Sequence, residues 1–590
     1  MNVSLNLHSL AKPVQRVVLG NQQQLQSPAQ QREKRQSPQK KTDAAISLLQ
    51  LCKNSKELVQ VHSLLIKTSL IREKHAFGRL LSFFAASSEP GTLDYAQRLF
   101  DNVDFPRNSF IYNTMIKAYL IRGNPRISFL VYYQMLCEGS IFPDEFTFTF
   151  VFAACSKLSS VSEGKQAHAQ MVKYPLRFGT QSWNSLLDFY AKIREMGSLG
   201  QRLFDQIEEP DIISWNCLLD GFVKSGELDA ARAIFDVMPQ RDTVSWTSML
   251  VGFANAGLMS EASKLFDNMP ERNLVSWSAM ISACVQMGRY REGLDLFKQM
   301  QVAGIKTDKI TMTTLLSACA RLGALDQGQW FHAYIDKYMI EIDAHLSTAL
   351  VDMYAKCGKI DIALKVFRRS GHKKVFLWNA ILGGLAMHSR GREAVELLSE
   401  MLEEGIKPNQ ITFLSVLAAC SHSGLVDDGL RIFHIMMNDH NIRLTMAHYG
   451  CIVDLYARAG LLNDAKRFIE TMPMEADGSV WRALLGACRL HGNVNLGEHI
   501  GRILLELEPS NDGNYVLLSD IYAIGKRWED VGKLRREMKV SGVRKMPGCS
   551  SIELNGVIHE FVAGDGSHPE SLKIYRMLDE MAPLLGARHA

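Results

Sequence analysis

Several chemical signatures are missing from this chain, and each absence closes off a class of function. It contains eleven cysteines but no C-x-x-C pair, so neither a zinc ribbon nor a thioredoxin-like redox motif is encoded. There is no G-x-x-x-x-G-K loop to cradle a nucleotide phosphate and no G-x-S-x-G nucleophile turn. One H-x-E occurs, at His568-Pro569-Glu570, but no cysteine follows it, Cys549 being the last. A zinc deaminase needs such a glutamate followed by a P-C-x-x-C pair. The expectation is therefore no catalytic residue, no metal site and no cofactor. No stretch approaches the ~18 consecutive apolar residues of a membrane helix, so no membrane partner is expected.

Acidic residues are nearly missing from residues 1–42, where Lys12, Arg16, Arg32, Lys34, Arg35, Lys40 and Lys41 face Glu33 alone. That segment carries +6 of a formal net +4, which leaves the body of the chain at −2. Nucleic-acid binding by the body cannot rest on a global basic field and would have to be local. The segment has no apolar core flanked by a cleavage site and reads as an organellar transit peptide, for a mitochondrion or a chloroplast, with a slight preference for the first.

What the chain has in abundance is repetition. Trp183, Trp215, Trp246 and Trp277 fall 32, 31 and 31 residues apart, a period that marks stacked supersecondary units. A chain of 590 residues is too long for one core, and an array in which each unit packs on its neighbours solves that. With the aromatic anchor as fourth residue, eleven units run 109–144, 145–179, 180–211, 212–242, 243–273, 274–308, 309–343, 344–374, 375–409, 410–445 and 446–477. Two degenerate units occupy 43–108, and 478–545 and 546–590 form an extension. In 212–242, Trp215, Leu218, Leu219 and Phe222 make one helical stripe, and Leu228, Ala231, Ile234, Phe235 and Met238 a second. Gly226 is placed to end the first helix and Pro239 to stop the second. The predicted fold is all-α, a superhelical solenoid of helix–turn–helix repeats. Residues 551–562 alternate around Asn555-Gly556 and predict one β-hairpin, expected to cap the solenoid's end. Cys52, Cys155, Cys284, Cys319, Cys420 and Cys488 all stand eleventh in their units, as free thiols filling a recurrent gap.

Polar residues recur at fixed phase inside this apolar pattern. The fifth residue is Asn113, Asn184, Asn216, Thr247, Ser278, Thr313, Thr348 and Asn379 in eight units, and the last is Asp144, Asp211, Asp242, Asn273, Asp308, Asp343, Lys374 and Asn409 in the same units. Helix propensity does not account for them. Either they cap helices, or they line one face as paired donors and acceptors, one pair per repeat. Arrays that read one base per repeat with two or three side chains work in the second way.

The stretches LVDMYAKCGKIDIALKVF (350–367), VLAACSHSGLVDDGLRIF (416–433), HYGCIVDLYARAGLLNDA (448–465), WRALLGACRLHGNVNLGE (481–498), NYVLLSDIYAIGKRWEDVGKLRREMK (514–539) and PGCSSIELNGVIHEFVAGDGSHPE (547–570) resemble plant pentatricopeptide-repeat proteins. The resemblance is to the class that alternates long and short units and ends in E and E+ motifs, without the deaminase domain some members carry. It implies a monomeric site-recognition factor for cytidine-to-uridine editing of an organellar transcript. The factor would bind single-stranded RNA and recruit a DYW-type cytidine deaminase in trans, with accessory editing factors, through the extension. His568 then belongs to the extension's own Ser-His-Pro motif.

The resemblance also implies bases. Asn113/Asp144, Asn184/Asp211 and Asn216/Asp242 would face U, Thr247/Asn273 A, Ser278/Asp308 G, Thr313/Asp343 G more loosely, and Asn379/Asn409 a pyrimidine, C before U. Thr149/Gly179, Thr348/Lys374, Leu414/Thr445 and Gly450/Asp477 stay unread. The implied footprint is 5′-U n U U A G (G) n Y n n-3′, with the edited C four nucleotides beyond it. Phe110, Ile212, Val244, Val275 and Phe376 would wedge between adjacent bases. Two rivals remain: a splicing, stability or translation factor on RNA, and a protein-binding scaffold of the tetratricopeptide type. The polar ladder speaks against the latter.

Overall fold

The computed structural model describes residues 47–52, 54–174, 178–371, 373–438, 442–554 and 557–586; the proposed transit segment lies outside them. Among the described residues the chain is helical except for one two-stranded antiparallel sheet. It divides into two compact units at Met249/Leu250. Each is a stack of helical hairpins: a repeat's first helix packs on the first helix of the next repeat, and its second helix on both. No helix among these residues is long and apolar enough to cross a membrane.

Residues 212–242 show how the local sequence builds a hairpin. Ile212–Ser225 ends at Gly226, which takes the left-handed φ of 80° that a side chain would resist. Leu228–Val237 follows and stops before Pro239. Leu218, Leu219 and Phe222 from the first helix and Ala231, Ile234 and Phe235 from the second are buried. The same-slot cysteines Cys155, Cys284, Cys319, Cys420 and Cys488 are buried free thiols, and burial pushes Cys155 and Cys420 up to about 12.

The seam between successive repeats has a recurrent chemistry. A phenylalanine of one second helix meets the aromatic anchor of the next first helix edge-on: Phe235–Trp246 at 5.0 Å, Phe266–Trp277 at 4.8 Å and Phe367–Trp378 at 4.7 Å between ring centres. A cation just before the next helix lies over the phenylalanine, Arg241 at 4.9 Å, Arg272 at 4.7 Å and Lys373 at 5.1 Å. Arg241 and Arg272 also donate to the carbonyls of Phe235 and Phe266, which ties the end of one helix to the start of the next.

The extension continues the stack with Gly478–Leu490, Val494–Leu507, Asp512–Ile524 and Trp528–Val540. The hairpin then forms as β1, Cys549–Leu554, and β2, Val557–Val562, with Leu554 opposite Val557 and Cys549 opposite Val562. Its position corrects the expectation that it caps the stack's end. Glu553 Oε2 accepts the N–H of Asp326 at 2.8 Å, and Glu560 pairs with Arg291 at 2.8 Å. The hairpin thus lies against repeats 274–343, moored by a carboxylate on the positive end of Leu325–Lys337.

Trp378 is fully buried, yet its indole N–H has no partner, so it contributes apolar area and its ring faces, against Phe367 and Lys373, both of which a phenylalanine retains in part. We expect Trp378→Phe to leave the thermal unfolding of the chain nearly unchanged and Trp378→Ala to cost about 3–5 kcal/mol, read by denaturant titration.

Candidate nucleic-acid interface

Each ladder residue at a unit's end stands just before the following helix, and all but Lys374, whose side chain makes no capping bond, cap it. Asp144 Oδ1 accepts the N–H of Thr147 at 3.0 Å, Asp211 that of Ser214 at 2.8 Å, Asp242 that of Ser245 at 2.9 Å, Asn273 that of Ser276 at 3.0 Å, Asp308 that of Thr311 at 2.9 Å and Asn409 that of Thr412 at 3.0 Å. Asp343 caps with the N–H groups of His345 and Leu346.

The fifth residue lies one turn inside the preceding unit's first helix, and where it is asparagine it reaches the cap. Asn113 Nδ2 donates to Asp144 Oδ1 at 2.7 Å, Asn184 to Asp211 at 3.1 Å, Asn216 to Asp242 at 3.1 Å and Asn379 to Asn409 at 3.2 Å. Capping and pairing, posed as alternatives by the sequence, are functions of one atom. The amide's orientation is dictated, because a carboxylate only accepts and Asn409 Oδ1 is committed to an N–H.

The hydroxyl residues behave differently. Thr247, Thr313 and Thr348 turn back to the carbonyls of Thr243, Lys309 and Ala344, the usual resort of a short hydroxyl inside a helix. Asp343 is held instead by Lys309 Nζ at 2.9 Å. Thr247 belongs to the first compact unit and Asn273 to the second. Ser278 reaches Asp308 through a relay, Ser278 Oγ to Thr311 Oγ1 at 2.6 Å and Thr311 Oγ1 to Asp308 Oδ1 at 2.7 Å. Asn113 and Asn184 are recessed, with 6% and 7% of their surface exposed.

Of the proposed wedges, Phe110, Val244 and Val275 are exposed. In unit 212–242 the second residue is Ile213, which is exposed, whereas Ile212 is half-buried. Phe376 is half-buried and stacked on His345, the second residue of the unit before it, with ring centres 4.8 Å apart.

Two further sets escaped the sequence reading. The third residue of many units is a buried hydroxyl: Thr147, Ser182, Ser214, Ser245, Ser276, Thr311 and Thr412 are all 0% exposed. The recurrent Ser/Thr before the aromatic anchor was their signal. Cations also recur at the thirteenth residue, each held by an aspartate four positions earlier: Lys192 by Asp188, Lys224 by Asp220, Lys356 by Asp352 and Arg458 by Asp454. Residues 5, 9 and 13 of a helix share one face.

Burial opposes ionisation of Asp211 and Asp242, but hydrogen bonds from Ser214 and Asn184, and from Ser245 and Asn216, outweigh it and hold both carboxyls below the usual range. A depressed carboxyl contributes stability above its unfolded pKa and loses it as the pH falls through the folded value. We expect Asp242→Ala to cost about 1–2 kcal/mol, constant from pH 8 to 6 and shrinking only under acid conditions, as measured by melting both proteins across that range. Among the described residues no group of three His, Cys, Asp or Glu side chains could hold a metal ion.

The PPR repeat pattern matches residues 110–140, 213–242, 244–274, 347–373, 411–440 and 447–475, and the PPR repeat family pattern 272–321 and 373–422. The E motif matches 491–553 and the E+ motif 558–582. Pentatricopeptide repeat-containing protein At5g66520 of Arabidopsis thaliana is 42% identical over 90% of this chain and 80% of its own. Its mitochondrial namesake At2g22410 is 38% identical over 90% and 88%, and At1g59720, named chloroplastic/mitochondrial, is 36% identical over 90% and 75%. Among solved structures, maize PPR10 aligns with a TM-score of 0.49 at 14% identity, covering 91% of this chain and 88% of that one. PPR10 in complex with an 18-nt psaJ RNA element aligns at 0.40 and 17%, over 92% and 88%. The chain belongs to the pentatricopeptide repeat family and carries E and E+ motifs after its repeats.

Proposed function

We propose that this protein binds one single-stranded RNA site in a plant organelle, a nucleotide to each repeat, and marks a cytidine there for conversion to uridine. The observation that carries the reading is the set of amide–cap rungs. In an Asn/Asp rung the amide spends one hydrogen on the carboxylate, on Oδ1 alone at Asp144 and Asp211 and shared with Oδ2 at 3.3 Å at Asp242, and keeps the other, while Asp Oδ2 has lone pairs left to accept. A donor beside an acceptor complements the carbonyl and N3–H of uracil. In the Asn379/Asn409 rung the cap offers a second amide donor instead, which suits the O2 and N3 acceptors of cytosine. At Ser278–Thr311–Asp308 the carboxylate must receive the relay's proton, so the rung shows acceptors, which suit the N1–H and N2–H of guanine. The exposed second residues Phe110, Ile213, Val244 and Val275 supply apolar surfaces for stacking.

Recruitment of the enzyme is assigned to the E and E+ segments. A DYW-type cytidine deaminase supplied in trans, with accessory factors, would act by proximity on the cytidine four nucleotides beyond the last repeat. The organellar names of the relatives At2g22410 and At1g59720 support import into a mitochondrion or chloroplast.

Asn273→Asp tests base reading, because both residues cap equally well and the helix is spared. It is expected to move the preference at the nucleotide facing repeat 243–273 from A to G by about 1–3 kcal/mol, measured by titrating paired RNAs; unchanged preference refutes modular reading. Truncation after residue 477 is expected to preserve RNA affinity and abolish conversion of the target cytidine in complemented plants. Editing by the truncated chain would instead favour a role for the solenoid alone.

A further inference from the structure

Three rungs share a feature that the pairing of fifth and last residues does not require. The hydroxyl of the following repeat's third residue donates to the remaining oxygen of the amide: Thr147 Oγ1 to Asn113 Oδ1, Ser245 Oγ to Asn216 Oδ1 and Thr412 Oγ1 to Asn379 Oδ1, each at 2.7 Å. All three donors are 0% exposed. In a fourth rung the same position, Thr311, is itself the bridge between Ser278 and Asp308. The exception is Asn184. Ser214 spends its hydroxyl on Asp211 Oδ1 at 2.9 Å, and Asn184 Oδ1 is buried with no hydrogen-bond partner.

We propose that the third-residue hydroxyl is a positioning residue that sharpens base discrimination by the repeat before it. The inference rests on the base-reading function argued above. Its chemistry concerns how firmly the amide is held. An amide tied only through its N–H can swing its oxygen out of the seam toward the base, where it would take a hydrogen from the exocyclic amine of cytosine. With the buried hydroxyl donating to that oxygen, the amide is pinned at both ends and the oxygen stays inside. The rung then shows one N–H and one carboxylate oxygen, a pattern uracil meets and cytosine does not. Ser245 is held for the task, since its Oγ accepts the backbone N–H of Asp242 at 3.2 Å. Its single proton faces the amide oxygen at 2.7 Å and Asp242 Oδ1 at 2.9 Å, the amide oxygen being the nearer.

The test uses the full chain and synthetic RNA 5′-UAUUAGGACAA-3′, with single U→C changes at its first, third and fourth nucleotides, which face repeats 109–144, 180–211 and 212–242. In the native protein the U:C affinity ratio is expected to be about 3–10-fold smaller at the third nucleotide than at the first and fourth, the worth of one neutral hydrogen bond. Ser245→Ala is expected to lower the ratio at the fourth nucleotide to that of the third, leave the first unchanged, and be rescued by Ser245→Thr. Equal native ratios at the third and fourth nucleotides would overturn the proposal without any variant, as would a Ser245→Ala protein that weakens U and C binding alike. A native chain indifferent to U and C at all three positions would refute the base-reading function itself, and the inference with it.

Discussion

The structure depends on a single oxygen atom used twice. Oδ1 of Asp144, Asp211, Asp242 or Asn409 accepts the backbone N–H that starts one repeat's first helix and the amide N–H that projects from the first helix of the repeat before it. A capping contact usually settles where a helix begins. Here it also ties two neighbouring first helices together through the amide of the earlier one. A rung is therefore a fastening of the stack as well as a display of donors and acceptors.

The aromatic seam does the complementary work on the second-helix side. Phe266, Trp277 and Arg272 form one such cluster, Phe367, Trp378 and Lys373 another. These contacts are apolar and electrostatic, with little directional demand, and the fourth residue varies among Trp, Tyr, Phe and Met between repeats and is Ser347 in unit 344–374. The seam thus packs by volume, and the rungs add hydrogen bonds where they form. Repeats whose fifth residue is Thr313 or Thr348 make no direct rung and their first helices still stack on their neighbours.

The fold class was legible because a period near 31–36 residues leaves few physical solutions, and the hairpin because Asn-Gly between alternating strands has few others. Its place on repeats 274–343 was not, since two polar contacts separated by more than 200 residues leave no local trace. The asparagine rungs were visible as phase. That Thr247, Thr313 and Thr348 would fold back onto their own helices was not, because a threonine at that phase looks the same whether its hydroxyl points outward or to the carbonyl four residues before. The buried third-residue hydroxyls were overlooked for the opposite reason: next to a tryptophan, a serine reads as filler, and only its burial and its partner make it informative.

The charges of the rungs constrain how RNA can lie in the proposed complex. Carboxylates that stay ionised at neutral pH repel phosphates, so the backbone cannot run along the line of the rungs and only uncharged base edges can enter it. The cations sit elsewhere on the same face. Lys192 and Lys224 lie eight residues beyond Asn184 and Asn216, which is about 12 Å along the helix. Asp188 and Asp220 hold them there while lowering their net charge. In an array whose body is slightly acidic overall, these cations come one to a repeat, each paired with its own aspartate. In the proposed complex, base edges would be directed to one end of the first helices and phosphates to the other, and weak non-specific attraction would leave the choice of strand to the rungs.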